Sequence, residues 1–346
     1  MFAKLATLCL SVSGLLAQVP DPRPESDEPF QMVPGASYDP AIPTLAQVTG
    51  HAWGGEISAH ADVEKYIYAL AAAAPDRIKV VPFGASWQGR KLYYVVVGNP
   101  DAIARLPEVQ QSMQKLADPR GLSDAQCDQL LEGLPAVGWL ANCVHGDEPS
   151  GTDAALYVLY HLVAAKNDAM VTKILDECLV LVDPLQNPDG RDRFVFYTRG
   201  ARGRFADPTP QAAEHSQPWP SGRTNHAMFD MNRDWFGMTQ PETASRVAAF
   251  LKWWPLVYVD LHEMGAALRA QPQPSTAVLT MVVLRMVVPQ EWCPTLRPST
   301  ASLVTRARGQ VGVIDSSFDS IVSFDSIDSF DSIDFINSFD YIDSID

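Results

Sequence analysis

Two short segments of this 346-residue chain carry residues that could bind a metal ion. His145-Gly146-Asp147-Glu148 places a histidine and a glutamate three residues apart, directly after the apolar run 137–144. His262 directly follows a second apolar run, 256–261. Catalytic zinc sites commonly use three protein ligands of nitrogen and oxygen type and leave a fourth position for water. The two segments therefore form a candidate zinc site. A polar surface loop and a histidine at the edge of the core are the alternative interpretations.

A third segment, Asp230-Met231-Asn232-Arg233, places an amide beside an arginine just before a predicted helix. A guanidinium group binds carboxylates through two parallel hydrogen bonds, so a substrate with a free carboxylate is one natural partner for Asn232 and Arg233. A surface ion pair with one of the nearby acidic residues is the alternative.

Strands that alternate with helices must position these residues. Besides the two runs that precede the histidines, residues 178–182 have the apolar pattern of a buried strand. Helical patterns cover residues 152–165 and 239–254, and the second opens with a predicted capping box of Thr239 and Glu242. The alternation predicts an α/β fold with a mixed, largely parallel central sheet flanked by helices. Ligands bind outside the carboxyl ends of strands in such sheets, where both histidines fall.

The predicted strand 256–261 contains a possible partner for its histidine. Asp260 lies two residues before His262, so both side chains face the same side of the strand. Asp260 could therefore orient the imidazole ring of His262.

Together these segments resemble the zinc carboxypeptidase family, the carboxypeptidase A-like metallopeptidases. The matching motifs follow the family's order: His-Gly-Asp-Glu-Pro-Ser-Gly at 145–151, Asn-Pro-Asp-Gly at 187–190, Asp-Met-Asn-Arg at 230–233 and the strand ending in His262. Four ordered motifs are more specific than any one alone. The resemblance covers about residues 55–265 of the sequence.

The resemblance implies a ligand set and a substrate. It implies that His145, Glu148 and His262 bind one Zn²⁺ ion. It also implies that Asn232 and Arg233 hold the C-terminal carboxylate of a peptide or protein substrate. The expected activity is therefore removal of C-terminal residues from peptides.

The family's reaction uses two further residues, an arginine that stabilises the oxyanion and a glutamate on a late strand that acts as general base. The resemblance implies Arg223 for the first role, with Arg202 as the second candidate. The late glutamate has no match, because the last Glu of the chain is Glu291, in a segment unlike the family's. Glu263 is a poor substitute because its side chain should point away from that of His262. We therefore expect this form of the enzyme to be inactive.

The sequence changes character after Gly265. From Phe324 onward an (Ile/Phe)-Asp-Ser unit repeats every three residues, a period that fits neither an amphipathic helix nor a strand. We interpret residues 266–346 as a non-homologous, low-complexity tail without packed structure, which leaves the fold incomplete at its C-terminal end. The simplest explanation is a lost reading frame, because one short nucleotide repeat containing TTCGAT encodes all the repeated residue types.

Composition and local residue patterns predict the remaining segments of the chain. Residues 1–17 have the pattern of a signal peptide, residues 18–50 that of an extended leader, and residues 51–265 form the predicted catalytic domain. We therefore expect an exported protein, periplasmic or extracellular, without a membrane span. The chain has 26 Lys and Arg against 41 Asp and Glu, and its basic residues are not clustered, which argues against nucleic acid as a partner.

Three functions remain open at this point. The first is a secreted zinc carboxypeptidase. The second is a zinc-dependent deacylase of small amidated amino acids, built on the same scaffold. The third is a catalytically dead module that keeps zinc and carboxylate binding. Zinc content together with hydrolysis of blocked dipeptides would separate them.

Overall fold

The computed structural model describes residues 32–203, 207, 209 and 211–263, together with the backbone of residues 279–284. Its strands form a two-stranded ribbon and a six-stranded mixed sheet. The strands, in chain order, are β1 (Ser37–Tyr38), β2 (Ile78–Ala85), β3 (Lys91–Val97), β4 (Ala136–Asn142), β5 (Ala165–Lys166), β6 (Cys178–Asp183), β7 (Val257–Glu263) and β8 (Leu279–Leu284).

The large sheet has the strand order β2-β3-β6-β4-β7-β8, while β1 pairs with β5 in the ribbon. β4 lies between β6 and β7 and runs parallel to both. The pairs β2 with β3, β3 with β6 and β7 with β8 are antiparallel. The predicted α/β fold with a mixed sheet is confirmed. Among the described strands, however, parallel pairing is confined to the three central ones, so the sheet is less parallel than predicted.

Helices cover both faces of the large sheet. The described α-helices, in chain order, are α1 (Leu45–Thr49), α2 (His60–Ala73), α3 (Pro100–Ala104), α4 (Leu106–Ala117), α5 (Asp124–Leu131), α6 (Pro149–Ala164), α7 (Ala169–Glu177), α8 (Pro188–Ala201) and α9 (Pro241–Trp253). None of these helices is long and apolar enough to cross a bilayer.

The core is divided between the two faces of the sheet because side chains along a strand alternate. In β3, Val95 belongs to the apolar cluster that contains Leu70 of α2 and Leu156 of α6. The next residue, Val96, belongs to the second cluster, with Phe250 of α9. The central strands are therefore buried on both sides, and their carboxyl ends meet at one edge of the sheet.

Helices α7 and α8 were not foreseen from the sequence. α7 begins after Asp168, whose carboxylate accepts hydrogen bonds from the first turn of the helix. α8 begins at the Asn-Pro-Asp-Gly motif, whose residue types are typical of a turn. In the structure Asn187 caps this helix by accepting from Gly190 N–H at 2.9 Å, and Pro188 takes the first helical position. Asparagine followed by proline is also a helix-start signal, and here that alternative holds.

The predicted capping box of α9 is wrong. Gln240, rather than Thr239, occupies the N-cap position of this helix and makes no capping hydrogen bond. The Thr239 hydroxyl donates instead to Asp234 Oδ1 at 2.6 Å. Glu242 is buried and accepts from the Trp87 backbone N–H at 3.1 Å. Tertiary partners therefore replace the local contact that the four-residue pattern predicts.

The structure also differs from the predicted end regions. Residues 32–50 of the leader are not extended throughout, because Thr44 and Gln47 form a capping box that starts α1. Residues 279–284, which fall in the predicted tail, form β8 and pair with β7, so the prediction of no packed structure is wrong there. Their run of Val, Leu and Thr suits a strand. The predicted signal peptide, Glu291 and the repeat from Phe324 lie outside the described residues.

Candidate metal centre

The loop after β4, which carries His145, is held by close packing of glycines. A Cβ on Gly146 would overlap the backbone of Gly190 and Arg191. Gly146 N–H also donates to the Gly222 carbonyl at 2.9 Å. The glycine beside His145 is therefore needed for the close approach of the three loops, which fixes the backbone of that histidine.

The Asn187 side chain joins the same loops from inside. Its Nδ2 donates to the Val144 carbonyl and to the Arg223 carbonyl, each at 3.1 Å. Its backbone N–H donates to the Cys143 carbonyl, also at 3.1 Å. Asn187 is fully buried, so these bonds have no competition from water. The Asn-Pro-Asp-Gly motif thus links the end of β4, the start of α8 and the loop of Arg223.

Three predicted ligands converge at the carboxyl ends of β4 and β7. The donor atoms of His145, Glu148 and His262 lie within 4.8 Å of one another. The Glu148 carboxylate lies between the two rings, with Oε1 2.7 Å from His145 Nδ1 and Oε2 3.3 Å from His262 Nδ1. The structure therefore brings together residues from positions 117 apart in the sequence, with one nitrogen of each ring directed at the same carboxylate.

The other nitrogen of each ring faces an aspartate. His145 Nε2 lies 3.0 Å from Asp230 Oδ1, and His262 Nε2 lies 3.3 Å from Asp260 Oδ2. A carboxylate at Nε2 favours the tautomer with its hydrogen there, which leaves the Nδ1 lone pair for a metal ion. The predicted contact between Asp260 and His262 is confirmed. Asp230 was not assigned a role from the sequence, although its place in the Asp-Met-Asn-Arg motif was a signal.

These groups shift one another's pKa. Burial alone would lower the pKa of His262, but its contacts with Asp260 and Glu148 outweigh burial and raise that pKa to about 9. The pKa of His145 is also raised despite burial, through hydrogen bonds with Asp230 and Glu148. Burial would raise the pKa of Glu148, yet the two histidines lower it to about 2. Mutual attraction therefore favours the charged forms of all three candidate ligands.

The structure separates the two candidate arginines. Arg223 Nη2 donates to Asp230 Oδ2 at 2.9 Å, and Arg223 Nη1 lies 3.5 Å from His145 Nδ1. Arg202 instead donates to Glu56 Oε1 at 2.5 Å, as part of an ion pair. Arg223 is thus the candidate whose guanidinium group lies beside the candidate metal ligands.

The predicted carboxylate-binding pair, Asn232 and Arg233, follows Asp230 in the sequence, and Asp230 faces His145. Asn232 and Arg233 form a short 3₁₀ turn that begins after Asp230, and Asp230 Oδ1 accepts from the Asn232 N–H at 3.0 Å. The Arg233 side chain is exposed and its Nη1 donates to the Asn232 carbonyl at 3.2 Å. Asp147 does not belong to the ligand cluster, and its Oδ2 accepts from Gln217 Nε2 at 2.6 Å.

The cluster has the chemistry of a zinc site. Two imidazole nitrogens and one carboxylate are donors typical of catalytic zinc. The facing Nδ1 atoms and the aspartates behind the rings supply both the ligands and the groups that orient them. The residues present therefore fit a zinc ion.

Comparison with known proteins agrees with this chemistry. The model of the family described as zinc carboxypeptidase matches residues 63–268, more than half of the chain. The chain belongs to the zinc carboxypeptidase family. The match includes every candidate ligand and both parallel neighbours of β4.

Individual relatives match over shorter lengths. Carboxypeptidase 2 of Trichophyton rubrum is 32% identical over 128 residues, which cover 37% of this chain and 18% of that protein. Carboxypeptidase D of Homo sapiens is 28% identical over 193 residues, or 54% of this chain and 13% of that protein. The matched part is thus less than a fifth of either relative. Among solved structures, carboxypeptidase A from Helicoverpa armigera has a TM-score of 0.38 and 18% identity, covering 64% of this chain and 49% of that one.

In this member of the zinc carboxypeptidase family the carboxylate of Glu263 is directed to the start of α6. Its Oε1 accepts a hydrogen bond from the Ser150 N–H. Glu148, the N-cap residue of α6, makes no capping bond with its side chain, because its carboxylate faces the two histidines. Glu263 therefore satisfies a helix N–H group that the candidate metal ligand leaves open.

We expect Asp230→Asn to weaken zinc binding by about tenfold. The carboxylate that faces His145 Nε2 would become an amide, which holds the ring in its ligand orientation less strongly, and outer partners of metal ligands typically contribute 10- to 100-fold in affinity. Competition with a chromophoric chelator measures the change. Asp128→Asn, at an exposed position on α5, is the control and should bind zinc like the unmodified protein.

Proposed function

We propose that this chain is a zinc-dependent metallocarboxypeptidase, exported from the cell, that acts on the C-termini of peptides and binds one zinc ion through His145, Glu148 and His262. The observation that carries the proposal is the convergence of both Nδ1 atoms on the Glu148 carboxylate while both Nε2 atoms face aspartates. The alternative, a polar surface loop and a histidine at the edge of the core, does not account for this paired arrangement. Membership of the zinc carboxypeptidase family supports the same reading.

A bound zinc ion supplies Lewis-acid polarisation of the scissile carbonyl and activation of water. The protein's own residues supply position and charge. The guanidinium of Arg223, beside His145, is placed to stabilise negative charge that develops on the substrate oxygen. The exposed Arg233 can pair with a substrate carboxylate, with the Asn232 amide beside it as a further donor.

We propose in addition that this polypeptide binds substrate but turns it over slowly. General base catalysis needs a group within hydrogen-bond reach of the proton that it removes. Glu263, the acidic residue next to His262, is directed to the start of α6. Glu291, the last glutamate of the chain, lies in a segment unlike the family's. Binding and turnover are therefore separate tests of the function.

The binding test compares two blocked dipeptides that differ only at the C-terminus, one free and one amidated. The zinc-loaded protein should bind the free acid more tightly, because hydrogen bonds to charged groups contribute about 1.5–3 kcal/mol. Arg233→Gln should remove about 10- to 100-fold of that preference, whereas Arg120→Gln, in the exposed ion pair with Asp118 between α4 and α5, should keep it. Equal binding of both dipeptides by the zinc-loaded protein would exclude a carboxypeptidase and leave the deacylase open.

Zinc affinity should fall as the pH falls. The metal-free site holds a His262 ring whose pKa is raised to about 9, so below that pH a proton must leave before the nitrogen can bind metal. Each released proton makes the apparent affinity fall by about tenfold per pH unit. Chelator competition between pH 6 and 8, with proton release followed by calorimetry in two buffers, measures the slope. An affinity that is constant over this interval would contradict the assignment of a charged histidine to the site.

A further inference from the structure

A chain of buried polar contacts runs from α9 to His262. Arg246 Nη1, on α9, donates to Gln186 Oε1. Gln186 Nε2 donates to Asp260 Oδ1 at 3.0 Å, and the second oxygen of Asp260 faces His262 Nε2 at 3.3 Å. The four side chains come from α9, from the segment after β6, and from β7.

The interior members of this chain are shielded from water. Arg246, Gln186 and Asp260 are 1%, 2% and 3% exposed. Hydrogen bonds of charged groups are stronger in such a low-dielectric setting, and a lost partner is correspondingly costly. The orientation of the Gln186 amide is also determined by its partners, since its oxygen meets a cation and its nitrogen meets a carboxylate.

Both ends of Gln186 are anchored to rigid parts of the fold. Its backbone N–H donates to the Asn142 carbonyl at the end of β4, at 3.0 Å. Arg246, which holds the amide oxygen, lies over the Trp235 ring with its guanidinium carbon 4.4 Å from the ring centroid. The Gln186 amide is therefore a fixed donor rather than a mobile side chain.

The Asp260 carboxylate has a broad terminal torsion and would not hold one orientation by itself. With Oδ1 tied to Gln186, its Oδ2 is presented to the His262 ring. From this juxtaposition we infer that Gln186, held by Arg246, is a positioning residue for the metal centre. It fixes Asp260 and thereby the ring of His262, so that Nδ1 is directed at Glu148. The inference rests on the proposed zinc-binding function.

The second histidine is supported differently. His145 is held by Asp230, and the other oxygen of Asp230 accepts from Arg223, whose side chain is 44% exposed. Each histidine thus has a carboxylate behind it and an arginine further out. Arg223, the arginine near His145, is accessible from solvent. Arg246 and Gln186, which support His262, are buried in the protein interior. Gln186 serves the metal centre without a place in substrate binding.

The test uses Gln186→Met in the full chain. Methionine has similar length and fills the buried space, but it can neither donate to Asp260 nor accept from Arg246. We expect zinc affinity to fall by about tenfold, at the low end of the effect of outer partners. We also expect the visible absorption bands of the Co²⁺-substituted protein to shift, because the His262 ring is no longer held in one orientation.

Tyr94→Phe is the matched control. It removes a buried hydrogen bond of the same length, the 3.0 Å bond from Trp253 Nε1 to the Tyr94 hydroxyl, on a strand that carries no metal ligand. This variant should lose thermal stability while keeping the zinc affinity and Co²⁺ spectrum of the unmodified protein. Should Gln186→Met not fold, Gln186→Asn decides, because its amide is one methylene too short to reach both partners.

The outcomes separate the two levels of the proposal. Wild-type zinc affinity and an unshifted Co²⁺ spectrum in a folded Gln186 variant would overturn the positioning role. Failure of the unmodified protein to bind one zinc ion would overturn the proposed function itself. If Gln186→Met and Tyr94→Phe both lose zinc affinity, and by the same factor, the Gln186 contact acts only through stability and the positioning role is overturned.

Discussion

Replacing His262 with alanine is expected to abolish stoichiometric zinc binding, lowering the affinity by more than about 100-fold, beyond the effect of any outer partner. The substitution removes one of three donors whose atoms lie within 4.8 Å of one another. It also leaves the Glu148 carboxylate with one histidine instead of two, and two ligands rarely retain zinc in competition with a chelator. Metal content after dialysis against a weak chelator measures the result.

His145→Ala should give the same loss, and His215→Ala serves as the control. His215 is a surface histidine whose Nε2 lies 2.6 Å from the Asp207 carbonyl, in a turn that contributes no candidate ligand. Its replacement should leave one zinc ion per chain. Retention of a full equivalent of zinc by His262→Ala would show that a different set of residues binds the metal.

The fold could be predicted where local pattern and tertiary packing agree. The runs that became β4, β6 and β7 are apolar because these central strands are buried on both faces, and their placement needs no knowledge of partners. α8 could not be predicted in the same way. Its start at Asn187 depends on the side chain of that residue reaching Gly190, Val144 and Arg223 at once, and the same residues also suit a turn.

The candidate ligands could be predicted because their chemistry is visible in the residue types and their order. The groups behind them could not. Gln186 reaches Asp260 across 74 positions of sequence, and nothing in its neighbourhood distinguishes it from any polar residue after a strand. Asp230 belongs to the Asp-Met-Asn-Arg motif, but the motif predicts no role for it, because its distance from His145 is set by the packing of the loops.

The choice between Arg223 and Arg202 shows the same limit. Both precede the Asn-Arg pair, so order along the chain cannot separate them. The structure does so through their partners: Arg202 pairs with Glu56, in the segment before α2, whereas Arg223 pairs with Asp230 beside the candidate metal site. Position in space, which depends on the loop held by Asn187, therefore favours Arg223 over the chemically equivalent Arg202 for the proposed role.

Zinc-loaded protein is expected to hydrolyse blocked dipeptides about 10²- to 10⁴-fold more slowly than a family member with a positioned general base, since this is the contribution typical of a positioned acid or base. Burial raises the pKa of Glu263, which would suit a base, but its Oε1 accepts from Ser150 N–H at the start of α6. Release of the C-terminal residue, followed by chromatography at saturating enzyme, measures the rate.

Two experiments distinguish a slow rate that is due to the lack of a positioned general base from one that is due to a distorted site. Formate or acetate should raise the residual rate in proportion to its concentration, because a small carboxylate can enter and remove the proton in place of Glu263, which is directed to the start of α6. Glu263→Gln should leave the residual rate within about twofold, since in the structure this carboxylate serves the helix N-terminus. A rate equal to that of a family member with a positioned general base, lost on Glu263→Gln, would instead identify Glu263 as the base and require its side chain to leave Ser150 during the reaction.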